Sequence, residues 1–241
     1  MTRRKRVLLA WSSGKDSAWA LHVLRQQPDV EVVGLVSTFN EAAGRVSMHA
    51  VRRELAEAQA EAAGLPLIPV WLPWPCSNDA YEARMQQAIE RAREDGVTHF
   101  AFGDLFLEDI RAYRVRQLAG TGIEPIFPIW CAPEQTPALA KRMQAEGVQA
   151  VLTCVDPRQL DEGFVGRPFD ADLLHALPAG VDPCGENGEF HTFCYACPAF
   201  GRRIDIRVGE VVRRDGFVYA DVVPTPSGAR GSSASRSGYT A

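Results

Sequence analysis

The sequence predicts an α/β fold, a parallel sheet followed by a smaller α+β region, on three observations. Continuous apolar runs alternate with amphipathic helical stretches through the first half, as in a sheet whose strands are buried on both faces. The connections between them are short, which suits right-handed crossovers. Beyond Pro128 the texture changes to Pro- and Gly-rich loops and a hairpin signal.

In chain order, the apolar run at residues 7–11 is the first strand, and a helix over about 16–27 is closed by Pro28. Residues 30–38 form a second strand, and the Ala- and Glu-rich stretch 51–63 a helix stopped by Gly64. A third strand at 67–71 precedes a helix over 79–94, for which Asn78 or Asp79 is the expected cap. A fourth strand at 98–102 ends in Gly103-Asp104, and a basic helix covers about 109–118. Next come a helix over 135–146, a strand at 148–155, and a loop over 164–184 holding one short helix. A hairpin turns at Asp215-Gly216. The expected division is 1–130, 131–223, and a Ser-, Gly- and Pro-rich tail, 224–241, with too few apolar residues to order.

Lys plus Arg total 26 and Asp plus Glu 30, a formal charge of −4. That balance gives no overall pull toward nucleic acid or an anionic membrane, so nucleic acid is not an expected partner. The basic residues 3–6 precede a short apolar run with no small-residue cleavage site, and no stretch is long enough to span a membrane. A cytoplasmic protein is expected, monomer and homodimer both being open. The six cysteines are dispersed, as small buried apolar residues are in a cytosolic enzyme. Cys194 and Cys197 lack a second pair with metal spacing. The tryptophans Trp71, Trp74 and Trp130 read as core and cleft wall.

The sharpest local signal is the first strand running into Ser12-Ser13-Gly14-Lys15-Asp16-Ser17 and then a helix. A helix N-terminus offers unpaired N–H groups and the positive end of its dipole to phosphate oxygens. Gly14 permits close approach, the serines add hydroxyls, and Lys15 adds positive charge. Asp16 repels phosphate, so it reads as a Mg²⁺ ligand or as a cap on its own helix. The spacing is neither the Walker loop nor Gly-x-Gly-x-x-Gly. A Ser-capped helix start without a ligand is the competing reading. Its position after the first strand of an α/β sheet favours nucleotide.

A second cluster, residues 181–193, sets Glu186 and Glu189, an imidazole at His191, and Gly185 and Gly188 in a short stretch. Two glycines around Glu186-Asn187 allow a sharp loop, and the carboxylates suit a cation, an ammonium group or base catalysis. A polar surface loop before a strand is the plain alternative.

The first loop resembles the PP-loop, usually Ser-Gly-Gly-x-Asp-Ser, of the N-type ATP pyrophosphatases. Ser13 stands where that pattern has its first glycine, and negative backbone angles would accommodate it. With it, the Gly185-Glu186-Asn187-Gly188-Glu189-Phe190 run followed by Thr192 resembles the diphthine–ammonia ligase family. So do Ser47-Met48-His49 ahead of the Gln59 helix, Gly103-Asp104 with Arg111 and Arg114, and Pro128-Ile129-Trp130. The resemblance runs from about Arg6 to Val223. It implies a Rossmann-like sheet of the adenine nucleotide alpha hydrolase (PP-loop, HUP) type in 1–130, binding ATP, and a substrate-binding region in 131–223.

The implied reaction is adenylation of a carboxylate by ATP, with pyrophosphate released and AMP then displaced by ammonia. In the same terms, Ser12, Ser13, Gly14, Lys15, Asp16 and Ser17 bind phosphates, and Ser37 and Thr38 lie near adenine or ribose. Asp16 holds Mg²⁺. His49, Asp104, Arg111, Arg114, Glu186 and Glu189 bind substrate, and Lys15, Asp16, Glu186 and Glu189 act in catalysis. The form of the second cluster is similar to the bacterial branch. That leaves two acyl substrates open, the protein-borne carboxylate of diphthine or a different bacterial carboxylate such as a small metabolite. Two other readings compete, a tRNA-thiolating enzyme of the same loop type and an ATP sensor without turnover.

Overall fold

The computed structural model describes residues 4–225. Strands β1 (Lys5–Ala10), β2 (Val30–Asn40), β4 (Leu67–Leu72), β5 (His99–Ala101) and β6 (Glu124–Ile126) pair in parallel. Across the sheet they run β4-β2-β1-β5-β6, and the two-residue β3 (Arg45–Val46) pairs antiparallel with the end of β2. The strand order therefore reverses between β1 and β5. In sheets of this kind the crevice beyond the carboxyl ends of those two strands is where ligands sit. Helices α1 (Lys15–Arg25), α2 (Arg53–Ala63), α3 (Asn78–Glu94) and α4 (Glu108–Leu118) link the strands.

After α5 (Thr136–Ala145) comes a second, antiparallel sheet ordered β8-β7-β10-β9. Its strands are β7 (Gln149–Val155), β8 (Phe190–Ala196), β9 (Ile206–Arg214) and β10 (Phe217–Pro224), with the short α6 (Ala171–Ala176) between β7 and β8. This is the α/β architecture with a smaller second sheet that the sequence predicts.

Val7, Leu8 and Leu9 of β1 are all buried, because a central parallel strand is covered on both faces. One face carries α3 and a cluster with Val36, Phe100 and Phe102. On the other lies α1, whose Ala18, Leu21 and Leu24 share one apolar cluster with Leu152 and Val155 of β7 and Cys194 of β8. The first helix is thus packed between the two sheets.

Several local features differ from the sequence reading. β6 forms at an edge despite Pro125, since an edge strand leaves one side free of the ladder. Ser77, not Asn78 or Asp79, caps α3, its hydroxyl accepting from the Ala80 N–H at 3.2 Å. Trp74 is 65% exposed rather than core. Asp215 and Gly216 turn with positive φ as the hairpin requires. Pro224, read as the first residue of the tail, pairs with Ile206, and the tail from residue 226 lies outside the described residues. Among those described, no helix is long and apolar enough to cross a membrane.

Candidate active site

The crevice beyond β1 and β5 is a cleft of about 310 Å³. Its walls include Ser12, Lys15, Asp16, Ser17, Thr38, His49, Asp104, Arg114 and Glu186, residues drawn from both sequence clusters. Ser13, Gly14, Ser37, Arg111 and Glu189 are not on its walls.

The loop between β1 and α1 is held from several sides. Ser12 Oγ accepts from the Gly14 N–H at 3.2 Å and lies 3.3 Å from Ser17 Oγ, which donates to the Gly14 carbonyl at 2.9 Å. A Cβ on Gly14 would come within 3.1 Å of His49 and 3.4 Å of the Thr192 carbonyl, so only glycine passes there freely. Ser13 is fully buried with φ +69°, the left-handed region, not the negative angles expected. That conformation explains why a glycine is usual at this point of the PP-loop pattern, and it costs a side-chain-bearing residue about 1–2 kcal/mol.

Lys15 is also buried. Its ammonium contacts both carboxylate oxygens of Asp16, at 3.1 and 2.9 Å, and donates to the Cys184 carbonyl. Phe169 and Phe190 each place a ring centroid 5.4 Å from it. Burial pulls the Lys15 pKa down, but Asp16 and its acidic neighbours more than offset this and leave it above the ordinary value. Asp16 therefore pairs with Lys15 and does not cap its helix, whose N-cap is Gly14.

Across the cleft, Gly103 lets the loop after β5 approach α1, since a Cβ there would sit 3.2 Å from the Ser17 nitrogen. Asp104 and Arg114 form an ion pair at 3.5 Å. The paired atoms, Asp104 Oδ2 and Arg114 Nε, are buried against each other without a well-formed hydrogen bond. Burial raises the Asp104 pKa, and Arg114 partly opposes it. The Arg114 guanidinium lies over Phe102, whereas that of Arg111 lies over Trp130, 4.8 Å from its ring centroid.

Glu186 enters from the loop before β8. Its Oε1 accepts from the Leu105 N–H at 2.7 Å. Burial pushes its carboxyl pKa up to about 8, the Leu105 hydrogen bond opposes this, and Asp16 and Asp104 add to it. Glu189 turns inward instead. Its Oε1 accepts from the Asp182 N–H at 2.9 Å and from the Asn187 amide at 3.0 Å, bracing the loop that presents Glu186. Gly185 has φ +72°, and a Cβ there would meet the Phe190 carbonyl at 2.7 Å.

His49 precedes α2, whose N-cap is Arg52. The His49 Nδ1 lies 3.2 Å from the Thr192 carbonyl, and its ring packs 4.5 Å from that of His191. Burial lowers both pKa values, to about 3 for His49 and about 4 for His191, so both imidazoles are neutral. The Ser37 hydroxyl donates to the Trp11 carbonyl, which leaves Thr38 as the member of that pair facing the cleft. The sequence reading gave no role to Tyr81, His191 or Thr192, which also line the cleft. The Thr192 hydroxyl accepts the Lys15 N–H at 3.1 Å. Of these three, only His191 and Thr192 carried a signal, lying inside the second cluster.

A family model for the diphthamide synthase N-terminal domain matches residues 5–119, and one for the C-terminal domain matches residues 136–221. The chain belongs to the diphthamide synthase family. The turn after β1 is the stretch that resembles the PP-loop, and Gly185, Glu186, Phe190 and Thr192 of the second cluster line the same cleft. The chain is 27% identical over 151 residues to a diphthine–ammonia ligase of Bos taurus, covering 60% of this chain and 54% of that protein. It is 30% identical over 151 residues to the diphthine–ammonia ligase of Danio rerio, covering 60% and 56%. It is 26% identical to the Homo sapiens protein of that name, covering 60% and 54%. This member of the family thus matches about half the length of those curated relatives.

Proposed function

We propose that this chain is an ATP-dependent ligase that adenylates a carboxylate and then displaces AMP with ammonia. The observation that carries the reading is one cleft in which the PP-loop and a carboxyl of raised pKa face each other. Family membership and the relatives named diphthine–ammonia ligase support it.

In this reading the triphosphate lies along Ser12–Ser17 at the N-terminus of α1, where the helix dipole and the Lys15 ammonium favour its charge. Thr38 lies at the nucleoside end. The acyl carboxylate, drawn by Arg114, attacks the α-phosphorus, and pyrophosphate leaves toward α1. Ammonia then attacks the acyl carbon and AMP departs with the bonding pair. The Glu186 carboxylate accepts the proton shed by nitrogen, a task for which a pKa of about 8 is suitable.

Mg²⁺ supplies charge neutralisation on the phosphates when bound. Among the described residues no three His, Cys, Asp or Glu side chains converge to hold a metal alone. The oxygen donors Asp16 and Asp104 suit a Mg²⁺ that arrives with phosphates and keeps several waters.

Sulfur transfer fits less well. The thiols nearest the cleft, Cys131 and Cys184, have pKa values raised by burial, and a protonated thiol is a poor nucleophile. The test incubates the protein with ATP, Mg²⁺, ammonium and pooled carboxylates. AMP and pyrophosphate, dependent on one carboxylate fraction, are the expected products. ADP, or no nucleotide turnover with any fraction, refutes the reading.

A further inference from the structure

Gln59 lies in the middle of α2, on a face that an Ala- and Glu-rich helix would ordinarily fill with apolar residues. It is fully buried, and a buried amide must find partners or cost stability. Its Oε1 accepts from the Trp11 indole N–H at 2.9 Å. Its Nε2 donates to the Ser13 carbonyl at 3.0 Å and to the Cys194 carbonyl at 2.6 Å. The amide oxygen and both amide hydrogens are therefore used, tying α2 to two segments far apart in sequence: the stretch 11–13 that follows β1, and β8.

Ser13 is the convergence point. Its carbonyl accepts a second hydrogen bond, from the Cys194 N–H at 2.9 Å. The next peptide is tied to the same strand, Lys15 N–H to the Thr192 hydroxyl. Ser13 is also the one residue of the loop with a positive φ, a conformation that a serine holds only when its surroundings impose it.

We infer that Gln59 is a positioning residue for ATP, its amide fixing the Ser13 peptide in the left-handed conformation that aims the phosphate loop into the cleft. Gln59 is not on the cleft wall, so it acts through Ser13 and not by contact with nucleotide. The inference extends the ATP-binding reading above. The clamp itself is a property of the free protein.

The test compares wild type, Gln59→Met, Ser13→Gly and the double variant. Methionine has nearly the length of glutamine and lacks its amide. Glycine reaches positive φ without strain. Two measurements are made on each protein after its folded state is verified by circular dichroism and thermal melting. They are hydrogen exchange of the peptide covering residues 12–17 without nucleotide, and equilibrium binding of α,β-methylene-ATP with Mg²⁺.

Gln59→Met is expected to speed exchange of the loop amides and to weaken analogue binding about tenfold, the equivalent of the strain carried by one left-handed residue. Ser13→Gly in the same chain is expected to restore binding severalfold. A merely structural glutamine would not be rescued by a glycine in the loop. Unchanged loop exchange in a folded Gln59→Met protein overturns the inference, as does failure of the glycine to restore binding. If the methionine variant does not fold, Trp11→Phe, which removes only the indole donor to Gln59, is measured instead and must speed loop exchange. If wild type binds no analogue while Gln59→Met still loosens the loop, the clamp stands and the ATP-binding reading fails.

Discussion

Replacing Glu186 by glutamine separates the two halves of the proposed reaction and has a pH signature that the structure sets. The carboxyl is half-buried, and its pKa stands at about 8 against an ordinary 4.5. The folded protein therefore holds this proton more tightly than the unfolded chain between those two values. Stability from this group is full below about pH 4.5 and declines as pH rises toward 8, by up to about 1.4 kcal/mol per pH unit. Allowing for solvent on its cleft side, the loss across the window is roughly 3 kcal/mol. Glutamine keeps the acceptor for the Leu105 N–H and cannot ionise. Its stability relative to wild type should be near zero at pH 5 and should grow to roughly that 3 kcal/mol by pH 8.5, as measured by urea unfolding of both proteins across this range. Parallel stability curves would refute the raised pKa. In activity, Glu186→Gln should keep ATP–pyrophosphate exchange and lose amide formation by about 10²–10⁴-fold, the range for a general base. Equal loss of both steps would show that Glu186 serves binding instead.

Lys15→Ala should abolish turnover and also lower stability by about 3 kcal/mol, because it strands the Asp16 carboxylate. Adding Asp16→Asn should recover much of the stability and none of the activity, seen in melting curves beside the AMP assay. Gly103→Ala places a methyl 3.2 Å from the backbone of Asp16 and Ser17, so it should weaken binding of an ATP analogue with little change in unfolding midpoint. Asp221, held at a lowered pKa by Arg52 and Arg45, ties β10 to the segment before α2. Asp221→Asn should cost about 1 kcal/mol above pH 4, an effect lost as acid protonates the wild-type carboxylate. Leu152→Ala, in the cluster shared by the two sheets, should cost about 2–5 kcal/mol in one cooperative urea transition. Two separate transitions would contradict a common core.

The strand, turn and helix at residues 5–25 were legible because they are contiguous, and the period of the apolar residues marks each. The same holds for the order of elements and for the hairpin at Asp215-Gly216. What the sequence hides is direction. Glu186 and Glu189 look equivalent, each directly following a glycine, yet one lines the cleft and the other braces its own loop through the Asp182 N–H. Ser13 reads as a residue with ordinary backbone angles, because nothing local reveals that Gln59 and Cys194 hold its peptide over. Arg111 and Arg114, on the same basic helix, differ because Trp130 lies under one and Asp104 beside the other.

The distances along the chain explain which links escape a linear reading. Lys15 meets Cys184 and Thr192 across separations of 169 and 177 residues, and no local pattern encodes such a pairing. Yet these links decide what the site can do. A helix N-terminus alone would bind any phosphate; here β8 accepts its first N–H and the loop before β8 supplies Glu186. In the proposed reaction the phosphate end is built by the first sheet, and the acyl end by both halves, Arg114 from α4 and Glu186 from the loop before β8. The helix α1 packs in one apolar cluster with strands of both sheets, so the two sides of the cleft are held in register by packing and not by a linker. A fixed separation between the leaving phosphates and the proton acceptor is what a two-step reaction in one cleft requires. The buried Lys15–Asp16 pair, an expensive arrangement for folding alone, is intelligible on the same ground, since it lies at the seam where the two halves meet.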